Sequence, residues 1–195
     1  MLSDWVRAKT RWIIIPFVRL LARSGISPNV LTFIGFLMNV AVAWVLSTGQ
    51  LRWGGILLIF AALFDNLDGA LARETATASR FGAFFDSVLD RFSEAAVFFG
   101  LFLAALWRGD ATDLILIYAA IVGSLIVSYV RARAEGIGVE CKEGLFTRFE
   151  RVILLIAALI LEQARLAFWV LAIFANLTAV QRIYHVWRAT RGRKD

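Results

Sequence analysis

Six stretches of this chain, at 29–48, 51–72, 82–107, 111–130, 150–162 and 165–187, are predominantly apolar, and a helix needs about 20 such residues to cross a bilayer. The reading is an all-α integral membrane protein of six transmembrane helices. The fifth run is the weakest, because its clean apolar part, Val152 to Leu161, is shorter than a span. It reaches spanning length only if Phe146 to Arg151 continue the same helix. Composition excludes the main alternatives. With 60% hydrophobic and 18% charged residues, the chain lacks the polar surface of a soluble helical bundle. A transmembrane barrel needs apolar and polar residues in alternation, and "AAVFFGLFLAALW" does not alternate.

The positive residues place the loops. Arg7, Lys9, Arg11, Arg19 and Arg23 precede the first run, and Arg73 and Arg80 lie between the second and third. Arg131, Arg133, Lys142, Arg148 and Arg151 surround the fourth connection, and Arg182, Arg188, Arg191, Arg193 and Lys194 close the chain. The remaining connections hold Arg52, Arg108 and Arg165, one each. Lys and Arg concentrate on the cytoplasmic side, so both termini and the second and fourth loops are expected there. An even number of spans requires the same. The net charge of +6 is read as attraction to anionic lipid headgroups. No nucleic-acid partner is expected, since there is neither a basic domain nor an aromatic-studded sheet.

Residues 2–24 put Trp5, Trp12, Ile13, Phe17, Leu20 and Leu21 largely on one side of a helix, with the five basic residues elsewhere. That pattern predicts an amphipathic interfacial helix within residues 1–25. Pro16 and Arg19 interrupt any signal-peptide core. Gly25 and Pro28 break this segment, and Ser27 can cap the next helix with Pro28 in its first position. "STGQ" and "WRGD" read as short turns, and "EGIGVECKEG" as a glycine-punctuated loop. No linker or repeat divides the chain, so 1–195 is expected to be a single domain with its bundle at 29–190. Cys141, the lone cysteine, excludes an internal disulfide and reads as a free thiol.

Four carboxylates stand out against this background. Asp65, Asp68, Gly69 and Ala72 follow i, i+3, i+4, i+7 spacing and share one helical face, while Gly82, Asp86 and Asp90 step by four along the next. A short turn joins the two helices, bringing the four aspartates together. Unpaired in hydrocarbon, each would cost roughly 2.5–3.5 kcal/mol. Arg73, Arg80 and Arg91 are too few and too mobile to neutralise one pocket and leave it functional. An all-oxygen donor set favours a hard divalent cation, Mg²⁺, Mn²⁺ or Ca²⁺, over zinc. Four carboxylates suit two metals about 4 Å apart, an arrangement used in phosphoryl transfer. Gly69 and Gly82 remove side chains beside the carboxylates, so that a nucleotide or diphosphate can approach the backbone. Ala72 keeps the same face shallow, and Arg73 is placed to meet a phosphate. A buried Asp–Arg network, or an aspartate relay in a small ion transporter, remains the alternative at this point.

The pattern Asp65-x2-Asp68-Gly69-x2-Ala72-Arg73-x8-Gly82-x3-Asp86-x3-Asp90 resembles the complete signature of the CDP-alcohol phosphatidyltransferase family. Its eight fixed positions would match by chance with odds on the order of one in ten million. The resemblance implies six transmembrane helices, an N-terminal interfacial helix, a site opening to the cytoplasm and a homodimer. The implied reaction is attack of an alcohol on the β-phosphorus of a CDP-linked lipid, yielding a phosphodiester lipid and CMP. Carried over, Asp65, Asp68 and Asp86 would be metal ligands, and Asp90 would bind the second metal or act as general base. Asp68, Gly69, Ala72 and Arg73 would face the CDP moiety, and Gly82 would make room for it. "SPN" at 27–29 with Thr32 is similar to a family stretch near the nucleotide pocket, which adds Asn29 and Thr32.

The acceptor is read from "SYVRARAEG" and "TRFER". Arg131 follows an apolar span, while Arg148 and Arg151 begin another on a shared face. Such a cluster at a cavity mouth favours an anionic acceptor. The two stretches resemble the prokaryotic phosphatidylinositol-phosphate synthase branch of the family, which implies a prokaryotic plasma membrane and inositol 1-phosphate as acceptor. Arg131, Arg148 and Arg151 would hold its phosphate. Arg131 stands where that branch commonly has lysine, and glycerol 3-phosphate is the second candidate. Diacylglycerol and archaeal ether lipids, and Mg²⁺ and Mn²⁺, are equally compatible with these residues. Glu94, one turn beyond Asp90, has either a supporting place at the site or a partner on a neighbouring helix.

Overall fold

A computed structural model of the protein describes residues 18–141, 144 and 146–191. Trp5, Arg7, Lys9, Arg11, Trp12, Ile13 and Phe17 of the expected interfacial helix lie outside the described residues, as do Lys142, Arg193 and Lys194. Among the described residues the protein is all helical, with α1 (Pro28–Ser47), α2 (Leu51–Glu74), α3 (Arg80–Trp107), α4 (Ala111–Gly136), α5 (Arg148–Ile160) and α6 (Ala164–Thr190). Residues 18–23 are helical as well. There Val18 and Leu21, rather than the exposed Leu20, pack against Leu31 of α1 and Leu71 of α2.

The helix boundaries follow local chemistry. Ser27 caps α1 by accepting from the Val30 N–H, with Pro28 in the first turn. Ser79 does the same for α3 through the Gly82 N–H at 3.0 Å. Gly49 and Gly109, both at positive φ, close α1 and α3 where the short turns were expected. The α2–α3 turn places Ala76 at φ 53°, a left-handed position that favours glycine. α4 runs six residues past the apolar run, which stops at 130, and ends at Gly136 where the glycine-punctuated loop begins. Arg131 and Glu135 pair at i,i+4 across 2.9 Å, and the Arg-Ala-Arg-Ala-Glu sequence is rich in helix formers. α5 begins at Arg148, where Thr147 and Glu150 form a capping box. Its 13 residues rise only about 20 Å.

α1, α2, α4 and α6 are long and apolar enough to cross a membrane. α3 has the length, but Asp90, Arg91 and Glu94 interrupt its apolar sequence, and α5 is too short to cross alone. The core draws one or more residues from every helix, among them Leu46, Ala61, Leu101, Ile117, Leu159 and Leu171. α1 packs on α2 and α3, α2 on α5, α3 on α4, and α6 on α4 and α5. Small residues permit the closest crossings. A Cβ on Gly100 would sit 2.2 Å from the Ala43 carbonyl oxygen, and one on Gly55 would sit 2.9 Å from the Leu159 Cβ. Outward faces carry large apolar side chains, including Trp44, Phe60, Phe99 and Tyr118, as expected of a surface solvated by lipid.

Successive helices alternate in direction, so the bundle has two loop ends. One gathers the ends of α2, α4 and α6 with the starts of α1, α3 and α5. The other carries the turns after Ser47, Trp107 and Ile160, and its charges are closely matched. Asp110 caps α4 and pairs with Arg165, whose Nε donates to Asp113 at 2.8 Å. Arg108 reaches the second Asp113 oxygen at 3.2 Å, and Arg52 meets Glu162 at 3.6 Å.

Candidate active site

The α2 and α3 carboxylates converge at the first of these ends. Asp65 faces α3 because it lies one turn before Asp68 and Gly69 on the inward stripe of α2. Asp86 and Asp90 lie one turn apart on the matching stripe of α3. One carboxylate oxygen from each of Asp65, Asp86 and Asp90 lies within 4.8 Å of the others. Helix α1 presses in from the side with Gly35, where a Cβ would stand 3.6 Å from the Asp65 Oδ1. Asp86 has no hydrogen-bond or ion-pair partner among the described residues. Three convergent carboxylates without three cations form a donor set that fits a hard divalent ion.

Asp68 turns toward α1. Its Oδ2 accepts from the Thr32 hydroxyl at 2.6 Å, and its other oxygen accepts from the Gly69 N–H. Thr32 thus orients one of the four aspartates from a third helix. Beside it, the face of Gly69 is open except for Arg73, whose Nη1 would lie 3.4 Å from a Cβ at that glycine. Arg73 itself is exposed, with Ala72 half-buried beside it. Gly82 faces Asn29: a Cβ there would come within 3.2 Å of the Asn29 Oδ1 and 3.1 Å of the Ser79 hydroxyl. Asn29, Thr32, Asp68, Gly69, Arg73 and Gly82 therefore lie in neighbouring pairs near the starts of α1 and α3 and the end of α2.

The basic residues from α4 and α5 fall into distinct positions. Arg148 spans the carboxylates, its Nη1 donating to Asp90 Oδ2 at 2.6 Å and its Nη2 to Asp65 Oδ2 at 2.9 Å. Arg91 reaches the same Asp90 oxygen at 3.1 Å. One turn deeper, Arg151 is held by Glu94, with Oε1 3.2 Å from Nε and 3.1 Å from Nη2, and by the Phe146 carbonyl. Arg131 is exposed and pairs with Glu135. The three arginines expected to act together thus stand at the rim, over the converging carboxylates and in the interior.

Two further neighbours matter. Of the two places open to Glu94, the structure shows a partner on a neighbouring helix, Arg151 of α5. Arg182, which the sequence groups with the C-terminal basic residues, is buried and donates to the Val127 carbonyl at 2.7 Å. It lies within electrostatic range of Arg131 and Arg151. The signal was available, because an arginine inside the apolar run 165–187 is costly and so marks a function.

A membrane helical bundle in which carboxylates of two helices converge beside a glycine and an arginine is suited to metal-assisted transfer of a phosphate group. The chain belongs to the CDP-alcohol phosphatidyltransferase family, whose model matches residues 25–181. It is 38% identical over 185 residues to the archaetidylinositol phosphate synthase of Pyrococcus horikoshii, covering 94% of this chain and 95% of that one. The crystal structure of the Mycobacterium tuberculosis phosphatidylinositol phosphate synthase with CDP-DAG bound superposes with a TM-score of 0.85 at 35% identity, covering 90% of this chain and 94% of that one. The same mycobacterial enzyme in complex with manganese and citrate gives a TM-score of 0.83 at 35% identity, with 88% of each chain covered. The protein is therefore an enzyme, and the aspartate-relay transporter reading is set aside.

Proposed function

We propose that the protein transfers a phosphatidyl group from a CDP-linked lipid, CDP-diacylglycerol, to inositol 1-phosphate, giving phosphatidylinositol phosphate and CMP. The observation that carries this reading is the convergence of Asp65, Asp86 and Asp90 from two helices within 4.8 Å, near the open face of Gly69. In this reading the four aspartates hold two divalent ions, Mg²⁺ or Mn²⁺, with Asp68 oriented by Thr32. When bound, such ions neutralise the diphosphate and stabilise the departing CMP. Asn29, Thr32, Gly69 and Arg73 border the nucleotide, and Ala72 and Gly82 leave it room. The acceptor hydroxyl attacks the β-phosphorus, the bond to CMP breaks, and Asp90 takes the hydroxyl proton. Arg148 and Arg131 bind the acceptor phosphate, with Arg151 supporting them from behind.

The same reading has six membrane crossings, the short α5 included, an interfacial N-terminal helix, a single domain, a homodimer, and termini and site on the cytoplasmic face of a prokaryotic plasma membrane. Its test is CMP release by the purified full-length protein from CDP-diacylglycerol, with inositol 1-phosphate, glycerol 3-phosphate, serine and inositol in parallel. Release is expected with inositol 1-phosphate and lost on chelation. Release with glycerol 3-phosphate alone would transfer the acceptor assignment, and release with none would overturn the reading.

A further inference from the structure

α3 and α5 are joined by two ion pairs one helical turn apart, and the two differ in kind. In the inner rung, Glu94 holds Arg151 at 3.1 Å with side chains 10% and 3% exposed. The Phe146 carbonyl occupies a further Arg151 donor. Removing one member of so enclosed a pair strands the other's charge, so this rung is fixed. In the outer rung, Asp90 holds Arg148 at 2.6 Å, but Arg148 is 39% exposed. Its guanidinium is shared between Asp90 and Asp65, two of the three carboxylates that converge on one point. Arg148 thus pairs with two of the carboxylates a divalent cation would need.

We propose that Arg148 and the divalent metal compete for Asp65 and Asp90, so that metal binding releases the Arg148 guanidinium to the phosphate of the incoming acceptor. This inference rests on the metal and acceptor assignments above. The chemistry favours exchange over coexistence. A cation and a guanidinium crowded onto the same two carboxylates repel each other, and Arg148 sits at the first residue of α5 on a long side chain with partial access to solvent. Arg151, three residues on, keeps the helix docked while Arg148 moves. Coupling of this sort is reciprocal: an acceptor phosphate that draws Arg148 away strengthens metal binding. The arrangement makes the acceptor site competent only once the ions that activate the donor are in place.

Two measurements on the full-length protein in detergent test this without reference to turnover. Mn²⁺ binding, read from the loss of the free-ion EPR signal, is expected to tighten roughly tenfold in Arg148→Gln. Equal or weaker binding by this variant overturns the competition. In the wild-type protein, phenylglyoxal labelling of each arginine is followed by mass spectrometry. Mn²⁺ is expected to accelerate labelling of Arg148 roughly fivefold, with Arg151 protected throughout and Arg131 unchanged. An Arg148 rate that stays constant or falls on adding Mn²⁺ overturns the proposal even if the variant does not fold. No Mn²⁺ binding by the wild-type protein would instead remove the metal assignment, and this inference with it.

Discussion

The two loop ends of the bundle use their charges in opposite ways. At the end where α4 and α6 begin, Arg52, Arg108 and Arg165 meet Glu162, Asp110 and Asp113. Three positive groups face three negative ones, and buried Asp113 receives two of the arginines. Nothing there is left over for a ligand. At the other end Asp65, Asp86 and Asp90 crowd together, Asp86 lacks a described partner, and Arg148 and Arg91 both converge on Asp90. The balanced end behaves as a clasp, while the unbalanced end concentrates like charge that a ligand must neutralise.

Replacement of one aspartate at each end gives the sharpest contrast. Asp90→Asn removes the proposed proton acceptor and should lower CMP release on the order of 10³-fold, with nucleotide binding largely retained. If this variant turns over normally, Asp90 is not the base. Asp113→Asn should show the opposite profile: a loss of about 2–3 kcal/mol in unfolding free energy, because two arginines lose a buried carboxylate, and unchanged turnover at a temperature where the protein is folded. A fall in kcat at that temperature would join the two ends functionally and erase the distinction.

Smaller effects refine the picture. Thr32→Val leaves buried Asp68 without its hydroxyl donor, a cost of about 1–2 kcal/mol, and should weaken CDP-lipid binding roughly tenfold, as titration of the lipid would measure. Unaltered affinity would place Asp68 outside the donor recess. The least consequential change should be Arg52→Ala. Its pair with Glu162 is exposed on both sides and spans 3.6 Å, so thermal unfolding should register less than about 0.5 kcal/mol. A larger loss would mean that the clasp extends beyond Asp113.

Much of this was legible before any coordinates. Four-residue spacing put Asp86 and Asp90 on one face, the short turn after Glu74 placed that face against Asp65, and "SPN" announced the start of α1. Hydropathy alone stops at Val130, while helical propensity and the Arg131–Glu135 pair carry α4 on to Gly136. The arginines were harder. "TRFER" shows that Arg148 and Arg151 share a face, but one turn of rise takes Arg151 into the interior beside Glu94 and leaves Arg148 over the carboxylates.

That the chain belongs in a membrane and which side chains share a face could be read residue by residue, because hydropathy and the 3.6-residue period are local properties. Who partners whom depends on the packed bundle. Asp90 and Arg148 are 58 residues apart, Asp65 and Arg148 are 83, and Glu94 and Arg151 are 57. Such pairings depend on which helices lie side by side and at what depth, which is settled by small residues at the crossings, Gly100 against Ala43 and Gly55 against Leu159, and not by any periodicity within one helix.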